Sequence, residues 1–230
     1  MTVDTLRDEV LRANLALATS GLARFTFGNA SAIDRAAGAI VIKPSGVPYD
    51  ELTPSSMVVT DLDGRVAEGS LRPSSDLATH VALYRAFPGI GGIVHTHSHF
   101  ATAWAQAERE IPCLGTTHAD YFHGPVPVTA PMEPHSIDGE YEANTGTAII
   151  ERFETLDAAT MPAVLVAGHA PFCWGKSVGA AVHTAQVLEE VAAMAYHTMM
   201  INAEAAGIST ALRDRHFFRK HGKDAYYGQR

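Results

Sequence analysis

The sequence predicts an α/β protein: three layers, α/β/α, around a predominantly antiparallel sheet. Three observations predict it. Short apolar runs, the size of buried strands, alternate with amphipathic helical stretches along the chain. Several of those runs are joined by tight turns, as hairpins require. The 230 residues hold no repeat, no low-complexity tract and no long linker, so residues 1–230 read as one domain able to bury a large core.

The elements follow in order. Thr2–Ser20 is an opening helix, with Val3, Leu6, Val10, Ala13 and Leu17 on one face and Gly21 as its stop. Ala23–Phe27 and Ala30–Asp34 read as short strands around Gly28-Asn29. A turn at Arg35–Gly38 leads into the apolar strand Ala39–Lys43. Met57–Thr60, Asp61–Gly64 and Arg65–Glu68 read as a hairpin. Ser75–Phe87 has helical periodicity through Leu77, Val81 and Tyr84, with Ser75 as an N-cap. Gly91–His97 is a buried strand, Phe100–Ala107 a helix, Ile111–Leu114 a strand and Gly139–Phe153 a helix. Ala163–Ala167 is an apolar strand ending at Gly168-His169. Val178–Met200 is a long Ala- and Met-rich helix, and a polar, aromatic and basic tail begins at Ala211.

Composition excludes several functions. Lys and Arg number 17 against 25 Asp and Glu, a net charge of −8 without a basic block, which disfavours nucleic acid and anionic membranes as partners. Apolar stretches are broken well short of the roughly 20 residues that span a bilayer. The opening MTVDTLRDEV carries acids where a signal peptide needs a basic flank, so the expected location is cytoplasmic. Cys113 and Cys173 form no CxxC, which argues against a disulfide framework and a thiolate zinc site. Twelve histidines point instead to imidazole-based metal or proton chemistry.

The sharpest local signal is Gly91-Gly-Ile-Val-His95-Thr-His97. Alternate residues of a strand share a face, which sets the two imidazoles about 6–7 Å apart at their backbones. A bare His-x-His is also a common structural pattern. The buried setting tips the reading toward metal, because imidazoles at the end of an apolar strand carry a desolvation penalty unless bonded. His169 occupies the corresponding place after a second apolar strand. Three neutral histidines with an open position describe a catalytic divalent site, zinc by preference, with Mn2+ or Co2+ as alternatives. Asp76 is a fourth candidate ligand, or an ordinary acid at a helix start.

Three further segments are rich in Gly and small polar residues. They are Gly28-Asn29-Ala-Ser31, Lys43-Pro-Ser45-Gly46 and Pro73-Ser74-Ser75-Asp76. Backbone amides, hydroxyls and one ammonium suit a small phosphate, although each segment alone can be a turn or a cap. None is a Walker loop or a dinucleotide fingerprint. Asp120, in Gly115-Thr-Thr-His-Ala-Asp120-Tyr, is either a general acid–base group or a solvated loop acid. The aromatic and basic tail carries His216 and Tyr227 and reads as a segment that docks, with a neighbouring subunit as one place for it. His80, His183 and His197 fall in helical stretches and read as packing or surface residues.

Taken together, these segments resemble the class II aldolase/epimerase superfamily. The Gly115–Phe122 segment and the tail Arg219-Lys-His-Gly…Tyr226-Tyr-Gly-Gln229 are similar to its L-ribulose-5-phosphate 4-epimerase branch. The resemblance runs from Leu6 nearly to the C-terminus. It implies a homotetramer with four-fold symmetry and active sites at subunit boundaries. It implies zinc bound by His95, His97 and His169, with Asp76 in the metal site. Gly28, Asn29, Ser45, Gly46, Ser74 and Ser75 would surround the substrate and its phosphate, with Lys43 nearby. Asp120 and Tyr227 would transfer protons and His216 would support them; Thr116 and Glu142 also match positions near the site.

The implied reaction interconverts L-ribulose 5-phosphate and D-xylulose 5-phosphate, as in L-arabinose degradation. The C4 hydrogen is not acidic, so inversion there proceeds by retro-aldol cleavage of C3–C4, rotation of the aldehyde and re-formation. The alternatives are an L-fuculose-1-phosphate-type aldolase, an epimerase acting on L-xylulose 5-phosphate, and a non-catalytic metal- or sugar-phosphate-binding protein. Ala167-Gly168-His169-Ala170 departs from the family's surround of the third ligand, and the chain runs one residue past the usual Gln.

Overall fold

The computed structural model describes residues 2–223 and 225–227. It begins with α1 (Val3–Thr19), whose N-cap Thr2 accepts a hydrogen bond from the Thr5 amide. Four strands follow: β1 (Asn29–Asp34), β2 (Ala39–Ile42), β3 (Val58–Asp61) and β4 (Val66–Glu68). Then come α2 (Leu77–Ala86), β5 (Gly92–His95), α3 (His99–Gln106) and the single turns α4 (Thr116–Ala119) and α5 (Pro134–Ile137). The chain continues through α6 (Tyr141–Arg152), β6 (Ala163–Leu165), β7 (Pro171–Gly175), α7 (Val178–Ile201) and α8 (Thr210–His221).

The strands form one seven-stranded sheet in the order β4-β3-β2-β1-β5-β7-β6. Its strand pairings are antiparallel. β1 alternates sharply between the two helical layers. Ala30 and Ala32 lie under α1 and α7, where the buried Asn14 amide of α1 donates to the Ala30 carbonyl and accepts from its amide. Asn29 and Ser31 face the other layer, built from α2 and α6. On the α1/α7 side the backbone contact is close: a side chain at Gly92 would meet the Val178 backbone at 2.3 Å. On the α2/α6 side Phe87, Phe153 and Trp174 form an aromatic cluster. Trp174 and Phe172 are fully buried, each stabilising the fold by roughly 1.5–3 kcal/mol relative to exposure. Among the described residues no helix is long and apolar enough to cross a membrane.

The structure revises three expectations. Ala23–Phe27 is a turn, with Phe25 at φ +55° and exposed, so its aromatic residues imitate a strand pattern without pairing. Ile111–Leu114 contributes only the isolated bridge Ile111–Val126. β5 ends at His95, which leaves His97 beyond the strand, just before Ser98 at the N-cap position of α3. The tail expected to dock does so within this chain, as helix α8 packed on α4; Asp224 and Gly228 to Arg230 lie outside the described residues.

Candidate functional site

The three histidines arrive from two junctions, His95 and His97 from the connection between β5 and α3 and His169 from the turn between β6 and β7. His95 closes β5 and sits opposite Asn29 of β1 and Phe172 of β7 in the ladder. His97 follows two residues later. His169 lies in the turn between β6 and β7, where its amide donates to the Val166 carbonyl. One ring nitrogen from each of the three lies within 4.8 Å of the others. The Nε2 atoms of His95 and His97 are 3.1 Å apart.

The ring environments favour lone pairs pointing inward. His95 Nδ1–H donates to the Pro171 carbonyl at 3.0 Å, which leaves Nε2 bare on the side of the other imidazoles. Its ring stacks on Phe172. Burial, only partly offset by Asp76, pushes His95 down to about 3. Burial also lowers His97 and His169, and the charge of His97 lowers His169 further. Tyr141 of α6 brings its hydroxyl to 3.4 Å from His169 Nδ1. Three neutral imidazoles with converging nitrogens fit a divalent metal ion.

Asp76 stands at the N-cap of α2 but makes no capping bond. Its carboxylate turns into the site instead, where Asn29 Nδ2 donates to Oδ2 at 2.7 Å. Burial by itself would raise Asp76; the facing His95 and His80, with the Asn29 amide, outweigh it and hold the acid below its usual range. An anion beside neutral imidazoles is the charge state a cation site needs.

The three Gly- and Ser-rich segments meet. Pro44 and Pro73 form an antiparallel bridge, flanked by Ser74 N–H to Lys43 O and Ser45 N–H to Arg72 O. Asn29 Nδ2 also donates to Ser74 Oγ at 3.0 Å. Gly28, with φ +80°, runs so close to β5 that a Cβ would stand 2.8 Å from the His95 carbonyl. Lys43 is buried, its ammonium 3.3 Å from the Pro44 carbonyl and over the Tyr49 ring, and burial lowers its pKa. Ser45, Gly46 and Ser75 remain at the mouth. Together these residues and the triad line one open cleft of about 360 Å³. Glu142, Tyr141 and Phe27 complete its walls.

Asp120, His216 and Tyr227 are not among the residues lining that cleft. They gather separately, where α4 packs on α8. Arg219 grips both Asp120 oxygens at 3.0 and 2.8 Å, and His216 Nδ1 is 3.0 Å from Oδ1. Burial would raise Asp120, but the Arg219 and His216 hydrogen bonds with the Lys220 charge overcome it and keep the carboxyl below its usual range. The Tyr227 ring lies 4.7 Å from both the Arg219 guanidinium and the Lys220 ammonium. Thr116 opens α4, one turn before Asp120.

The family model for the class II aldolase and adducin N-terminal domain matches residues 8–196. The chain belongs to this family. Solved structures share its fold across nearly its whole length. An L-fuculose 1-phosphate aldolase is 24% identical with a TM-score of 0.79, covering 92% of this chain and 94% of that one. YgbL from Klebsiella pneumoniae, whose suggested activities are aldolase, epimerase or decarboxylase, is 26% identical with a TM-score of 0.73, over 94% and 99%. The l-fuculose-1-phosphate aldolase of Thermus thermophilus is 24% identical with a TM-score of 0.68, over 88% and 98%.

Sequence reasoning missed Tyr141, Phe27 and His80. Tyr141 and Phe27 carry no spacing signal toward the triad. His80 did carry one: Asp76, His80 and Tyr84 fall at i, i+4 and i+8, one face of α2.

Proposed function

We propose that this chain is a metal-dependent sugar-phosphate 4-epimerase, interconverting L-ribulose 5-phosphate and D-xylulose 5-phosphate. The observation that carries the reading is the union, in one cleft, of the imidazole triad and Asp76 with the polar pocket of Asn29, Lys43, Ser45 and Ser74. His95, His97 and His169 would hold the ion, zinc by donor preference, with Asp76 beside them. Once bound, that ion supplies Lewis acidity toward the carbonyl end of the bond that breaks.

The residues divide the remaining work. The Ser45 and Ser75 hydroxyls and the Gly46 backbone bind the phosphate at the mouth, with the buried Lys43 ammonium supplying charge from the cleft wall, and this keeps the cleaved aldehyde from escaping. Asn29 orients Asp76 and Ser74. Asp120, held ionised by Arg219 and His216, accepts the C4 hydroxyl proton as C3–C4 opens. Tyr227 donates on the opposite face once the aldehyde has turned. Since these two residues do not line the cleft of their own chain, they serve the cleft of an adjacent copy in a homotetramer. Exposed apolar residues on the last turns of α7 and on α8, among them Met200, Ile201 and Phe218, support such a contact.

A second reading, a lyase that cleaves the same kind of bond and releases both fragments, is favoured by the likeness to L-fuculose 1-phosphate aldolases. Incubation with L-ribulose 5-phosphate separates the two. The epimerase yields D-xylulose 5-phosphate without accumulating free aldehyde. Glycolaldehyde phosphate and dihydroxyacetone without epimer would make it a lyase, and no conversion of pentulose phosphates or of L-fuculose 1-phosphate would leave a binding protein.

A further inference from the structure

Behind the metal cluster, a polar chain runs through an otherwise apolar interface. Alternate residues of β1, Asn29 and Ser31, face successive turns of α2, Asp76, His80 and Tyr84. Asn29 holds Asp76, while Ser31 Oγ lies 2.8 Å from Tyr84 Oη and 2.6 Å from His80 Nδ1. Ser31, His80 and Tyr84 are all at most 1% exposed. Two buried polar atoms beside this chain have no partner among the described residues: His80 Nε2 and Asn29 Oδ1. A native fold rarely leaves such atoms idle in its core; Asn29 is bonded to Asp76 through Nδ2, and His80, one helical turn on, interacts with the same carboxylate electrostatically.

The phenol is the stronger donor of the two hydroxyls, so Tyr84 O–H donates to Ser31. Ser31 O–H then donates to His80 Nδ1. That places the ring proton on Nε2, as a donor within the field of the Asp76 carboxylate one helical turn away. The reverse direction would turn a bare lone pair toward an anion.

We propose that His80 is a positioning residue for Asp76: the Tyr84–Ser31–His80 chain fixes the imidazole with Nε2–H directed to the carboxylate side, bridged to it by one buried water. Asp76 is thereby clamped from two sides, by Asn29 on Oδ2 and by His80 through the water, and its orientation toward the triad no longer depends on the ion. The role rests on the metal reading above. It concerns residues that touch neither the ion nor the substrate.

The test is zinc affinity of the full chain, by competition with a chromophoric chelator, with circular dichroism as the check on folding. Ser31→Ala removes the hydroxyl that sets the tautomer and disturbs packing least. It is expected to weaken zinc binding about ten-fold or more, within the range for groups that orient ligands. His80→Leu is expected to do the same, and His80→Gln, whose amide N–H reaches the Nε2 position, to restore most of the affinity. A merely structural role would lower the melting temperature alike in Leu and Gln variants and leave the zinc affinity unchanged. Folded Ser31→Ala with wild-type affinity, or a Gln variant as weak as Leu, overturns the proposal. A wild-type chain that binds no zinc removes the metal reading itself, and this role with it.

Discussion

His118 has the same ring as His95 and a different fate. It is buried in α4 and its ring Nε2 faces the Gly124 carbonyl at 2.7 Å. Burial, partly opposed by that carbonyl, pushes it from 6.5 down to about 4. Above pH 6.5 it is neutral folded or unfolded and adds no pH dependence. Between pH 6.5 and 4 the unfolded chain takes up a proton that the folded chain refuses, so stability falls as pH falls, by up to about 3 kcal/mol for this group. Urea unfolding at pH 7 and pH 4.5 should therefore show a smaller acid loss in His118→Gln than in the wild type; equal losses would contradict the assignment. At this scale the sequence was partly legible. Spacing announced His95 and His97 as a pair. It could not announce Tyr141, which reaches His169 from α6 across a layer boundary. Asp76 was ambiguous for a physical reason: a helix-start acid can cap or coordinate, and only its bond to Asn29 shows the side chain has turned away from the cap.

Elements set the site by close approach. β1 and β5 pair so that Asn29 lies opposite His95, and Gly28 makes that approach possible where the strand begins. Gly28→Ala places a methyl 2.8 Å from the His95 carbonyl at a φ of +80°. The expected cost is about 1–3 kcal/mol of stability, together with weaker metal binding, because the strand end that moves carries a ligand. Urea unfolding and chelator competition check both, and wild-type values in each would refute the close-packing account. Elements with one buried face were readable: α1 and the long α7 sit within a residue or so of expectation. β7 was not, since Pro171–Trp174 is buried on both faces and so lacks alternation. α8 was not, since only Phe217 is buried there and its polar residues spend themselves on Asp120.

The whole molecule divides its candidate chemistry between two places. The cleft holds the triad, Asp76 and the polar pocket, while Asp120, His216 and Tyr227 assemble against α8. The three-layer antiparallel architecture was legible from alternating apolar runs and turns, and family membership from motifs spread along the chain. What no single-chain pattern encodes is whether one copy's α8 cluster meets another copy's cleft. That depends on surfaces, and the exposed apolar ends of α7 and α8 are where it would be decided. Under the proposed function, the three converging imidazoles hold the ion on which turnover depends. The most direct measurement is a zinc titration of metal-stripped chain, recording bound ion and D-xylulose 5-phosphate formed from L-ribulose 5-phosphate, beside His97→Ala. Turnover should rise with occupancy to about one ion per chain, and the variant should show neither. Undiminished turnover in His97→Ala with no ion bound would mean that turnover needs no ion at these imidazoles.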